Sequence, residues 1–295
     1  MKRNVLNSPR LLKLKKKRQR IFLNKIFLSA IVFFAIFAGL FYLSRLKQLN
    51  IAEIKISENK AIDAETAKMI VQEKISGNYL WFLPKTNILF YPKNNIKNEL
   101  QNKFKRIKDV IFSVKNRKTL EISVTEREAL YIWCNATLPE SDTAAQKCYF
   151  MDENGYIFDE AAYFSGGVYF KFYGKISEDG DLSKRESSPA GSYFAKENFY
   201  KFVLFKKILE NMGLKPVALY QEDNGDIKFF LSRENSLSMG PEIILKVNSD
   251  FQKVAENLET ALGTEPLQSN FKNKYSSLLY IDLRFGNKVY YKFRQ

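Results

Sequence analysis

Ile26-Phe-Leu-Ser-Ala-Ile-Val-Phe-Phe-Ala-Ile-Phe-Ala-Gly-Leu-Phe-Tyr-Leu43 is an unbroken run of uncharged, mostly apolar residues. At 1.5 Å rise per residue, a helix of this length covers about 27 Å, close to the roughly 30 Å hydrocarbon thickness of a bilayer. Ile21, Phe22 and Leu23 lengthen the apolar stretch if Asn24 and Lys25 snorkel. A helix buried in a soluble domain rarely stays uncharged for so long. A cleaved signal peptide has an apolar region of about 7–15 residues followed by a small-residue cleavage site. Here the run ends in Phe41-Tyr42-Leu43-Ser44-Arg45, with no small-residue pair. The sequence therefore predicts a retained transmembrane signal anchor over residues 26–45.

Charge on either side orients the span. Ten of the 47 Lys and Arg residues precede Ile26, and no acid does. The rest of the chain sets all 32 acids against 37 basic residues, so two-thirds of the net +15 is concentrated in the first 25 residues. The positive-inside rule makes residues 1–25 a basic cytoplasmic arm and puts residues 44–295 outside the cell membrane. Topogenesis and attraction to anionic lipid account for the arm. A nucleic-acid partner is not expected.

The remaining composition narrows the chemistry. Hydrophobic residues make up 45% of the 295 and charged residues 27%, which suits globular domains. There is no histidine, which excludes Ser-His-Asp and Cys-His catalysis, His-containing zinc sites and HExxH proteases. Two cysteines cannot build a Cys₄ metal site. The sequence contains no phosphate loop, GxSxG or cofactor fingerprint. We assign no catalytic, cofactor-binding or metal-binding residues, no cofactor and no small-molecule substrate. Carboxylate-only catalysis needs no histidine, so a glycosidase-like activity stays an alternative.

Residues 49–127 predict a β-α-α-β-β module. Leu49–Ile56 is a β run. Asp63 is an N-cap for a helix whose Ala67, Ile70, Val71 and Ile75 share one face, and Gly77 closes it. An aromatic loop, Tyr79-Leu-Trp81-Phe82, follows. Ile96, Leu100 and Phe104 mark a second helix. Val110, Phe112 and Val114, then Leu120, Ile122 and Val124, mark two strands around an Asn116-Arg117 turn. The aromatic loop either seals the module's core, rests at the membrane surface, or is a docking patch formed by Tyr79, Trp81 and Phe82.

Residues 128–295 predict an antiparallel β domain with two helices. Asn154-Gly155 and Asn224-Gly225 lie between apolar flanks and signal type I′ hairpins. Asp152 and Asn154 lack the further ligands a calcium loop needs. Residues 177–192 read as an exposed loop. Phe199, Phe202, Val203, Leu209 and Met212 stripe one helix, and Val254, Leu258, Ala261 and Leu262 another. The chain ends with Leu278–Phe285, a Gly286-Asn287 turn and Lys288–Phe293. Alternation puts Leu279, Ile281, Leu283 and Phe285 inward. It puts Tyr280, Asp282, Arg284, Lys288, Tyr290 and Lys292 outward. Cys134 and Cys148 flank a polar loop between two β runs. They form either a disulfide, permitted outside the membrane, or two buried thiols.

A β-α-α-β-β module just outside a signal anchor resembles the POTRA domain of the FtsQ/DivIB family of bacterial cell-division proteins. The segments that carry the likeness are Ile54-Lys-Ile56 with Glu58-Asn59, Leu80–Asn87, Val124-Thr-Glu-Arg127, and Tyr280-Ile-Asp-Leu-Arg-Phe285. The resemblance implies an α+β chain: transmembrane helix, POTRA domain, β domain. It implies a non-enzymatic bitopic scaffold of the divisome at the division septum. Its partners would be bitopic division proteins of the FtsB/FtsL type, other divisome membrane proteins and the lipid membrane. It also implies partner capture by strand addition at the last strands, through Tyr280, Asp282, Arg284, Phe285, Lys288 and Tyr290. The alternatives are an anchored POTRA module for secretion or polypeptide handling, and a membrane-tethered wall hydrolase.

Overall fold

A computed structural model describes residues 9–79, 83–139, 146–162, 167–176, 188–233 and 236–294. The chain divides into two compact units, Met1–Thr125 and Glu126–Gln295. The fold is mixed α+β, with one long apolar N-terminal helix and a large sheet.

In the first unit, helix α1 (Pro9–Ser44) is 36 residues long, or about 54 Å at the helical rise. It is long and apolar enough to cross a membrane. The predicted arm is thus helical from Pro9 onward, continuous with the span. Strand β1 (Glu53–Ser57) leads through a turn with Glu58 at φ 65° into α2 (Ala64–Ile75). Asp63 caps α2 by accepting a 2.9 Å hydrogen bond from the Thr66 N–H, which satisfies one of the orphan donors of the first turn. The hydrogen bonds to Thr66 hold the Asp63 carboxyl below its ordinary pKa. Two short strands, β2 (Asn78–Tyr79) and β3 (Leu83–Pro84), form a small hairpin. Helix α3 (Lys93–Lys103) and strands β4 (Ile107–Lys115) and β5 (Thr119–Glu126) complete the unit.

The three-stranded sheet has the order β1-β5-β4, with β1 parallel to β5. The turn expected at Asn116-Arg117 lies between β4 and β5, and φ of 52° and 56° makes it a primed one. Ala67, Val71 and Ile75 of α2 and Ile96 and Leu100 of α3 are buried against Val110, Leu120, Ile122 and Val124 of the sheet.

The second unit is built on a nine-stranded sheet. Its elements are β6 (Tyr131–Asn135), β7 (Cys148–Met151), β8 (Ile157–Ala161), β9 (Lys171–Tyr173), α4 (Phe199–Asn211), β10 (Pro216–Gln221), β11 (Asp226–Arg233), β12 (Ser236–Lys246), α5 (Phe251–Leu262), α6 (Leu267–Asn273), β13 (Leu278–Phe285) and β14 (Lys288–Phe293). The order is β14-β13-β12-β11-β10-β9-β6-β7-β8.

Here the structure corrects the predicted antiparallel domain with two helices. Pairs β6/β9, β9/β10 and β12/β13 are parallel. Parallel neighbours need a long crossover, and α4 and α5–α6 supply two of them. The third helix, α6, was not anticipated because its seven residues are too few to show a period.

One sheet face packs under these helices. Phe205 of α4 meets Phe229 of β11 with ring centroids 5.1 Å apart, and Phe251 of α5 packs on both Phe202 and Phe205. Aromatic pairs at such separations add about 0.5–1.5 kcal/mol each beyond burial. A smaller apolar cluster, with Ile132, Cys134, Tyr173, Ala218 and Phe230, lies apart from this core.

The Asn-Gly turns also differ from expectation. Gly155 and Gly225 take φ of 75° and 84°, but Asn154 and Asn224 do not enter the left-handed region, so neither turn is type I′. Asp152 replaces that geometry. Its carboxylate accepts from the N–H groups of Asn154 and Tyr156 and pairs with Arg127 at 2.5 Å.

Cys134 and Cys148 are joined by a disulfide across β6 and β7, fourteen residues apart in sequence. Closing a loop of that size contributes about 3 kcal/mol through the unfolded chain. Reduction is therefore expected to lower the thermal unfolding temperature of the detergent-solubilised chain by about 6–12 °C, with the fold retained below it. Melting followed by circular dichroism, with and without reductant, checks this.

Candidate functional site

The two ends of an open sheet carry main-chain groups with no strand to pair with. At one end, β8 is partly covered: Ile157 N donates to Ser192 O at 2.9 Å, and Gly191 N donates to Ile157 O at 2.7 Å. At the other end lies β14, which pairs with β13 alone among the described strands. Along β14, Lys288, Tyr290 and Lys292 are exposed, while Val289, Tyr291 and Phe293 pack on the core. That alternation matches the sequence expectation for this strand.

On β13 the alternation fails twice, and both failures have the same cause. Register shifts occur between Leu278 and Tyr280 and between Asp282 and Phe285. In the second, Asp282 sits opposite Tyr290 and Phe285 opposite Lys288, so three steps on β13 match two on β14. A one-residue bulge reverses the faces of all that follows it. Phe285, expected inside, is 55% exposed and packs edge-on against Tyr290 with ring centroids 5.2 Å apart. At the other end Leu278, rather than Leu279, enters the core.

Asp282 and Arg284 also differ from the solvated outward residues that alternation predicts. Asp282 is 5% exposed. Arg284 donates Nε and Nη2 to the two Asp282 oxygens at 2.9 and 2.6 Å, and Nη1 to Asp226 of β11 at 2.5 Å. Hydrogen bonds to Asp282, then to Asp226, hold the guanidinium pKa above its ordinary value despite partial burial. Side chains two residues apart on a strand share a face, which lets Arg284 fold back on Asp282 and reach across to β11. The trio is a structural clamp that ties β13 to β11 over the intervening β12. Tyr280 is half-buried, opposite Glu242 of β12 and Lys292 of β14.

Beside the clamp lies a cleft of about 500 Å³, lined by Asn224, Gly225, Asp226, Lys246, Val247, Asn248, Arg284 and Phe285. Sequence reasoning missed all of these except Arg284 and Phe285, because the hairpin turn that brings residues 224–226 here is remote in the chain. Further across the face, Lys228 bonds Glu222 at 2.7 Å and lies 3.7 Å from Glu242. Burial opposes the Lys228 charge, but these carboxylates outweigh it and raise its pKa. The Lys228 hydrogen bond in turn lowers that of Glu222.

The remaining sequence candidates fall elsewhere. Tyr79 lies in the small β2–β3 hairpin with the Lys85 ammonium 5.6 Å over its ring, whereas Trp81 and Phe82 lie outside the described residues. No group of three or more Asp, Glu or Cys side chains among the described residues is arranged to hold a metal. No protein-family model matches this chain, and no curated protein does.

Arg284→Ala would leave two nearly solvent-excluded carboxylates without their cation, and is expected to destabilise the chain by about 2–4 kcal/mol. Arg284→Lys keeps the charge but not the fork, and should recover only part of the loss. Thermal unfolding of both variants checks this.

Proposed function

We propose that the chain is a non-enzymatic bitopic membrane scaffold of the bacterial divisome, related to FtsQ/DivIB. In this reading α1 crosses the cell membrane with its N-terminus in the cytoplasm. The first unit is a POTRA domain and the second captures FtsB/FtsL-type bitopic partners by strand addition.

The observation that carries the proposal is the position of β14. It is the end strand of the sheet, and an aromatic pair stands exposed beside it. A strand laid along β14 gains main-chain hydrogen bonds from the edge and side-chain selectivity from the row Lys288, Tyr290, Lys292. Lysines on an edge discourage indiscriminate pairing. They favour an incoming strand whose alternate residues are acidic, with an apolar residue to meet Tyr290 between them. Phe285, Tyr290 and the neighbouring cleft offer an anchor pocket of the kind that dominates interface energies. Arg284 supports this surface from beneath, so its loss is a poor probe of binding.

Phe285→Ala with Tyr290→Ala is expected to weaken capture of an FtsB/FtsL-type partner segment tenfold or more, with native circular dichroism. Unchanged affinity in titration calorimetry would reject the β14 site. Antibody against residues 44–295 is expected to label mid-cell as constriction begins. Uniform membrane staining would instead favour a secretion or envelope role.

A further inference from the structure

The end of α1 is held by the folded unit directly. Asn87 Nδ2 donates to Ser44 O at 3.0 Å, and Asn50 Nδ2 donates to Leu46 O at 2.9 Å. Thr86 Oγ1 donates to Asn50 Oδ1 at 2.8 Å, and Ile88 N donates to Leu49 O at 2.9 Å. Ser44 is 2% exposed and Asn87 1%. Polar groups so deeply buried keep their partners, because an unpaired one costs far more than the bond is worth.

Asn87 serves a second purpose. Its Oδ1 accepts from Leu89 N at 2.9 Å, and its carbonyl accepts from Phe90 N and Tyr91 N at 3.0 and 2.9 Å. Residues 87–91 are thereby folded into a tight turn. Tyr91 is turned into the core, against Phe112. Leu89 and Phe90 are turned out, 71% and 43% exposed.

Height above the membrane follows from these contacts. The apolar run ends at Leu43, so Ser44 marks the rim of the hydrocarbon. Three residues extend at most about 10 Å, which keeps Phe90 near the depth of Asn87 and Ser44. The interfacial layer is itself about 5–8 Å thick on each side. Charge fits the same surface. Residues 44–52 and 83–96 contain Arg45, Lys47, Lys85 and Lys93 and no acid. An apolar tip within a basic rim is the pattern of a segment seated in phospholipid headgroups.

We propose that Leu89 and Phe90 insert into the headgroup–acyl boundary of the leaflet from which the C-terminal end of α1 emerges, giving the first unit a second membrane contact. This rests on α1 being a membrane span, and not on the division role.

The test is spin-label depth measurement on the full chain in vesicles of phosphatidylcholine with one quarter phosphatidylglycerol. Cys134 and Cys148 are bonded to each other and do not take the label under non-reducing conditions. Labels are placed singly at Leu89→Cys, at Phe34→Cys in α1 and at Lys55→Cys on the exposed side of β1. The Leu89 label is expected to show a ratio of oxygen to nickel-chelate collisions several-fold above that of Lys55. A Leu89 ratio equal to that of Lys55, with Phe34 lipid-immersed, overturns the second contact and leaves the span standing. An aqueous Phe34 overturns both. Dipolar broadening at Leu89 that grows with protein density would assign the turn to a second copy of the chain and overturn the lipid contact.

Discussion

A strand has two hydrogen-bonding edges, and a sheet that does not close always leaves two of them over. The organisation of the second unit follows from how it meets that constraint. The phenylalanine layer beneath α4 and α5 covers one face and leaves the edges to be dealt with separately. At β8 the chain doubles back through residues 191–194 to occupy part of the edge. At β14 it uses lysines and an aromatic pair instead. A covered edge only needs to be stable. In the proposed scaffold, an edge held open by charge would be selective, admitting a strand that can neutralise that charge.

The sequence was most legible where a local period met a local signal. Helices α2 and α3 carry their apolar residues every third or fourth position, and Asp63 caps α2 as its side-chain chemistry suggests. The Asn116-Arg117 turn is equally local. Asp250 likewise caps α5 by accepting from Gln252 and Lys253. Phe205, at the centre of the helix–sheet contact, was missed. The sequence around it is apolar on several sides, so period alone does not single it out.

What could not be read locally was strand direction and strand register. Whether β12 meets β13 in parallel depends on where α5 and α6 return the chain, a fact about packing rather than composition. The bulge after Asp282 is a second case. Perfect alternation through Leu279, Ile281, Leu283 and Phe285 gives no hint of it, yet it exchanges the roles of two candidate residues. Phe285 becomes surface, and Arg284 becomes part of a clamp. The Asp226 partner lies 58 residues away in sequence, beyond the reach of any motif. The edge position of β14 itself was anticipated from the family resemblance, while the cleft beside it appears only in the folded chain.

The Ser44 carbonyl has a mechanical consequence. Because Asn87 grips it, the end of α1 is tied to the 87–91 turn by a hydrogen bond as well as by the chain itself. Membrane-spanning helices respond to bilayer thickness by tilting. A free hinge absorbs such tilt, whereas a hydrogen-bonded joint passes part of it on. Were α1 to span a bilayer, a change of thickness would then shift the first unit above it, much as a pointer converts rotation of its spindle into travel at its tip.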